Sequence, residues 1–329
     1  MEDAGSQAGP KKVLVLVAME QEAMPIINQY GLRRVEPSPF VAGAPMVAHR
    51  GWYDPNAGAD SIMELFVTWA GHDPRFKSNN VGTVAASVST YASVSLFKPD
   101  LVISAGTAGG MGSMGARVGD VYLSTKCVFH ARRIPEAHEG GGFEEYGFGH
   151  FRSPPLARLV AAVPGLKQGI ISTGDSLDCS PTDQELMRTE GACVKEMEAA
   201  ACAWVCQHAR VPFFALKAIT DIVDGPRPTA REFYSNLSLA SSNLNLKLRL
   251  VLNELANRPL HQWRSSSLLH PLPALDAEPP GDSPGAGVGT VVHAPSEPSP
   301  GGVAGTTDIV GPIALALLFG AVLGMAVRR

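Results

Sequence analysis

Val13 to Ala18 reads VLVLVA, an unbroken apolar run of strand length, and Gln21 to Gln29 behind it spaces its apolar residues for a helix. The same exchange of short buried runs and helical patterns continues along the chain. Ile62 to Ala70 alternates as a strand, Asn80 to Phe97 is Ala- and Ser-rich with helical spacing, and Leu101 to Ala105 (LVISA) is again a buried strand. Val121 to Thr125, Gly169 to Ser172 and Phe213 to Ile219 predict further strands; Ala199 to His208 and Arg231 to Asn257 predict helices. Such alternation implies an α/β fold with a largely buried sheet over residues 11–259. No internal repeat is visible, which excludes a solenoid.

The flanks have a different pattern. Residues 1–10 are polar and Gly-rich, without the basic start and apolar stretch of a secretory signal, and predict a disordered N-terminus that begins in the cytosol. Residues 260–308 are rich in Pro, Gly, Ser and Ala, the composition of a disordered linker. Residues 309–327 carry no charge and are almost wholly apolar; as a helix they would extend roughly 28 Å, against roughly 30 Å for a bilayer's hydrocarbon core. A helix buried in the domain would have to reach back across the linker, so the segment is expected to be a transmembrane tail anchor in an intracellular membrane, the catalytic domain staying in the cytosol. Pro312 falls in the first turn, where its missing N–H does least harm, and Gly320 and Gly324 form a small-xxx-small pair.

Composition narrows the function. With 45% hydrophobic and 18% charged residues the chain is that of an ordinary globular protein, and a formal charge of -4 without a Lys/Arg stripe excludes nucleic acid as a partner. The cysteines, Cys127, Cys179, Cys193, Cys202 and Cys206, are odd in number and form no C-x-x-C pair, so neither a disulfide framework nor a metal site is expected. Cys202 and Cys206, at i,i+4, read as core.

In open α/β sheets ligands bind beyond the carboxyl ends of strands, and four strand ends carry chemistry. After the first strand stand Glu20 and Glu22; both suit a helix N-terminus, but Glu22 lies on the side that also carries Ile26, Ile27 and Tyr30. After LVISA comes Gly106-Thr107-Ala108-Gly109-Gly110, small residues that let a planar ligand approach the backbone. The overlapping G-x-G-x-x-G from Gly110 to Gly115 is rejected as a dinucleotide fingerprint, since a turn rather than a helix follows it several residues past the strand. Lys195-Glu196-Met197-Glu198 enters a small-residue helix, where its charges read equally as a cap. Asp221 directly follows an apolar run, and a desolvated carboxyl there is fitted to donate a proton.

Taken together, AMEQEA, AGTAGG, VGDVYL, STGDSLD, KEMEAAA and KAITDIVDG resemble, in order and spacing, the 5′-methylthioadenosine/S-adenosylhomocysteine nucleosidases, most of all the plant-type branch, over roughly Lys11 to Asn257. The resemblance implies the nucleoside phosphorylase-like fold, a single α/β domain with a twisted mixed central sheet flanked by helices, together with a homodimer, a small-molecule nucleoside substrate and no cofactor or metal. It places the general base on Glu22, the ribose-holding carboxylate on Glu198 with Met197 under the sugar, and the purine-protonating acid on Asp221. Thr107, Ala108 and Gly109 would line the nucleoside, and Leu177 and Asp178 would grip adenine. Thr107 stands where bacterial relatives often carry Ser, and Glu196 where plant relatives carry Asp. The lid over the 5′-thio substituent falls on residues 129–153, where Glu136 to Gly142 is polar and Phe143, Tyr146 and Phe148 are left to supply it.

The activity so implied is hydrolysis of 5′-methylthioadenosine to adenine in methionine salvage, and it leaves open whether S-adenosylhomocysteine is a second substrate. Two readings compete. A purine nucleoside phosphorylase needs cations to hold phosphate, and the first loop offers Glu20 and Glu22 instead. A non-catalytic storage protein of the same fold would be marked by loss of an acidic residue, and Glu22, Glu198 and Asp221 are all present.

Overall fold

A computed structural model describes residues 9–53, 63–132 and 143–257. Among them ten strands and seven α-helices follow in the order β1 (Lys12–Val17), α1 (Glu20–Tyr30), β2 (Arg33–Arg34), β3 (Val47–Tyr53), β4 (Met63–Trp69), α2 (Thr83–Phe97), β5 (Leu101–Gly110), β6 (Val121–Phe129), α3 (Phe143–Phe148), β7 (Phe151–Arg152), α4 (Ala157–Ala162), β8 (Leu166–Thr173), α5 (Pro181–Thr189), β9 (Ala192–Glu196), α6 (Ala199–His208), β10 (Phe213–Ile222) and α7 (Thr229–Ala256). The predicted N-terminus, linker and tail anchor lie wholly or almost wholly outside the described residues.

β1 runs between β4 and β5, parallel to both, so both of its faces are covered and the continuous apolar run is what the position demands. From β4 the sheet continues through antiparallel β3 and β2 to an edge. On the other side β5 pairs with β10 in parallel and with β9 in antiparallel register. β10 pairs with β6, β6 with β8 and β8 with β9, so these five strands close into a ring with β5 as a shared member. The sheet is mixed, as expected.

Two apolar clusters cover it. On one face α1, α4 and α7 pack, α7 burying Ala240, Leu244, Leu248, Val251 and Leu255 at successive turns. On the other lie α2 and α6. α6 is Ala- and Cys-rich, and both Cys202 and Cys206 are buried, as their spacing suggested. α2 reverses the usual arrangement. Its inward residues are Ala86, Ser89, Thr90, Ser93 and Val94, mostly small or polar, whereas Val84, Val88 and Tyr91 face outward.

Three expectations need correcting. Gly106 to Gly110 is no loop: it is the second half of β5, buried throughout, because pairing with β10 and β9 satisfies its backbone. Asp221 likewise lies within β10, opposite Gly109, next to an irregularity in the register at Ile219. The glycine motif from Gly110 starts on the last residue of β5, not several residues later; it still opens no α-helix, only a 3-10 turn over Gly112–Met114.

Candidate active site

The second half of β5 is the floor on which the nominated side chains meet. Glu22, in the first turn of α1, is buried and fully engaged. Its Oε1 accepts from the Thr107 amide at 2.6 Å and from the Thr107 hydroxyl at 2.7 Å. Its Oε2 accepts from the amides of Met19 at 3.1 Å and Ala18 at 3.3 Å. The bond to Met19 is half of a capping box, so one carboxylate both starts the helix and reaches the strand two places across the chain.

Beside it lies a buried charge cluster. Lys217 of β10 has its ammonium 2.9 Å from Glu196 and 3.9 Å from Glu198. A side chain added at Gly106 would start 3.1 Å from Glu22 Oε1 and 3.4 Å from Lys217 Nζ, which sets all of these groups around one residue of β5. Burial by itself lowers an ammonium's proton affinity, but Glu196 and Glu198 outweigh it and hold Lys217 above its ordinary range. Burial raises the Glu198 carboxyl to about 7; Lys217 opposes the rise and Glu196 adds to it.

The two glutamates of KEMEA divide the alternatives left open above. Glu196 is the cap: its Oε2 accepts from the amides of Glu198 at 3.0 Å and Ala199 at 2.8 Å, the start of α6, while Oε1 accepts from the Thr173 hydroxyl. Glu198 instead turns its carboxylate across to the Gly82 amide at 3.0 Å, before α2. Asp175 holds the next amide of that helix, Thr83, at 2.6 Å and its hydroxyl at 2.7 Å. Gly82 has φ +94°, and a side chain there would start 2.6 Å from Asp175 Oδ1, so glycine suits both the backbone and the approach of Asp175.

Asp221 lies further along the β5–β10 pair, opposite Gly109 where Lys217 is opposite Gly106. Thr220 places its hydroxyl 2.7 Å from Oδ1, and Oδ2 is buried without a hydrogen-bond partner among the described residues. Burial raises its carboxyl, with Glu232 adding to the rise and the Thr220 hydroxyl and Lys195 opposing it. A side chain at Gly109 would begin 3.0 Å from Oδ2 and 2.4 Å from Val223, so the absence of one leaves room beside that oxygen.

Thr107, Ala108 and Gly109 are thus on the floor, and Met197 and Glu198 at the β9–α6 junction. Leu177 and Asp178 are exposed in the loop after β8. Of the lid, Glu136 to Gly142 lies outside the described residues; Tyr146 on α3 is exposed and its carbonyl accepts from Arg132 at 2.6 Å. Lys217 and Lys195 were not singled out from sequence, although both stand inside quoted blocks. No cluster of metal-ligating side chains occurs among the described residues. A cavity of about 20 Å³ between Ala18, Asn80, Ser104, Glu198 and Lys217 has room for a water beside the charge cluster.

The sequence profile of the phosphorylase superfamily matches residues 12–253. The 5′-methylthioadenosine nucleosidase of Arabidopsis thaliana is 39% identical over 251 residues, 75% of this chain and 88% of that one. The chain belongs to this nucleosidase family. A second Arabidopsis member, a 5′-methylthioadenosine/S-adenosylhomocysteine nucleosidase, is 38% identical over 75% of this chain and 93% of its own. The solved apo structure of the Arabidopsis 5′-methylthioadenosine nucleosidase superposes with a TM-score of 0.71 at 38% identity, covering 77% of this chain and 99% of that one. Membership in the nucleosidase family carries the nucleoside phosphorylase-like fold, and the mixed sheet with helices on both faces agrees with it.

Proposed function

We propose that this chain hydrolyses the N-glycosidic bond of 5′-methylthioadenosine, releasing adenine and the 5-thioribose product, as the names of its relatives indicate for them. The observation that carries the reading is Asp221: a buried carboxyl with raised proton affinity, one oxygen tied to Thr220 and the other unpartnered beside Gly109.

Cleavage passes through an oxocarbenium-like sugar, so charge must be removed from the departing base and a nucleophile delivered opposite it. Asp221 gives its proton to adenine N7, the C1′–N9 bond breaks with its electron pair going to the base, and adenine leaves neutral. Glu22 takes a proton from water as the water oxygen bonds to C1′. Glu198 accepts hydrogen bonds from the 2′- and 3′-hydroxyls, with Met197 under the sugar, and its charge favours the developing cation. Thr107, Ala108 and Gly109 line the nucleoside; Leu177 and Asp178 flank adenine. Phosphorolysis on the same fold is disfavoured by the buried cluster of Glu22, Glu196 and Glu198 against Lys217, which would repel a phosphate dianion. Asp221→Asn is expected to bind substrate yet turn over on the order of a hundred- to ten-thousand-fold more slowly; near-normal turnover removes Asp221 from the acid's role.

The assembly we propose is a homodimer through the outward face of α2, where Val84 is 77% and Tyr91 70% exposed while small residues face inward. A second copy is the occupant that suits it, since an isologous contact pairs the same stripe with itself. Residues 309–327 are proposed as the membrane anchor on their composition and length, with the catalytic domain in the cytosol. No helix among the described residues is long and apolar enough to cross a membrane.

A further inference from the structure

We propose that Lys195 is a positioning residue for the base-binding half of the site, its buried ammonium fastening the loop after β8 and facing Asp221 across Gly109. The proposal rests on the reading of Asp221 as the acid.

Lys195 and Asp221 are the two cross-strand partners of Gly109, one on β9 and one on β10. Cross-strand partners emerge on the same side of a sheet, and Gly109 between them contributes no side chain. Lys195 is 4% exposed. Its ammonium donates to the carbonyl oxygen of Ser176 and, at 3.3 Å, to that of Leu177, the segment proposed to flank adenine. Among the described residues no carboxylate lies within 4 Å of it. Burying an ammonium against neutral carbonyls is costly, and an apolar side chain would finish β9 without that cost. The position therefore calls for what the ammonium adds.

It adds two things. By holding two successive carbonyls it fixes the backbone path of the loop, and with it the backbone groups that meet the base. As a cation it stabilises the carboxylate that Asp221 becomes when its proton passes to N7, which strengthens Asp221 as a donor. The groups facing Lys195 are Cys179 and Asp178 in the loop, Asp183 on α5 and Asp221 on β10; burial lowers its proton affinity and these four raise it. Asp221 is faced in turn by Thr220, by Glu232 of α7 and by Lys195.

The two contributions separate in a pair of variants. Lys195→Gln keeps an N–H donor for the carbonyls and loses the charge; Lys195→Met loses both. Activity that needs protonated Asp221 falls as pH rises through its pKa, and removing a nearby cation raises that pKa. In both variants the alkaline limb of the kcat/KM profile is therefore expected to move up by about one pH unit, with a lower kcat. Adenine affinity should fall about tenfold in Lys195→Met and be largely kept in Lys195→Gln. A wild-type limb and wild-type adenine affinity in folded variants overturn the proposal. If Lys195→Met does not fold, an unmoved limb in Lys195→Gln overturns it alone. Asp221→Asn, run beside them, should slow turnover at least about a hundredfold; if it keeps near-normal turnover, the reading of the acid has failed, and adenine affinity alone then decides for or against Lys195.

Discussion

At the residue scale, the site depends on carboxylates that folding does not favour. Glu198 is raised to about 7 by burial, above the ordinary glutamate value that it regains on unfolding. A carboxyl whose folded pKa is the higher one binds protons more tightly in the native state, so its ionisation costs stability. That cost is absent at acid pH, grows as pH rises from about 4.3 to about 7, and is complete above. Glu198→Gln escapes it while keeping an acceptor for the Gly82 amide. Its Tm should therefore exceed that of the wild type at pH 8, with the advantage vanishing near pH 5, while turnover falls. An equal Tm difference at both pH values would contradict the assigned protonation. Glu196 has a different role in the same block: it caps α6 and neutralises Lys217.

At the element scale, β5 and α2 explain the site's construction and how much of it was legible in the chain. The apolar halves of β1, β4, β5 and β10 are visible because those strands are covered on both faces. The Gly-Thr-Ala-Gly-Gly half of β5 reads as a loop since small residues lack strand propensity; only its pairing with β9 and β10 makes it a strand. β9 itself, ACVKE, hides behind its buried Lys195 and Glu196, whose partners are far away in sequence. Lys217 escapes notice for the same reason, being a charge in an apolar run that only Glu196 makes tolerable. The proposed site blocks, in contrast, were each legible as chemistry following an apolar run, although Gly106 to Gly110 and Asp221 lie within their strands and not beyond them. In α2, helical spacing was legible but not which face turns inward. That outward stripe yields a prediction: Val88→Asp should convert a dimer to monomer in sedimentation and lower activity, since the Gly82 amide at the same helix holds Glu198. A dimer that survives the substitution places the interface elsewhere.

At the scale of the whole molecule, an enzyme of small soluble substrates is joined by a Pro- and Gly-rich stretch to an apolar segment about as long as a bilayer core is thick. The catalytic sheet is complete without that segment, β10 and α7 closing the ring and its cover before residue 258. Full-length protein is thus expected to resist carbonate extraction from membranes, and a chain ended at Leu260 to be soluble and equally active. Full-length protein in the soluble fraction contradicts the anchor.

The central claim is hydrolysis by two carboxylates at either end of the second half of β5, with no call on phosphate. It is tested most directly by following adenine release from 5′-methylthioadenosine in phosphate-free buffer and identifying the sugar. The account predicts full activity without phosphate, no gain when phosphate is added, and a free reducing thioribose as product. Adenine release that requires phosphate and yields a sugar 1-phosphate would contradict it.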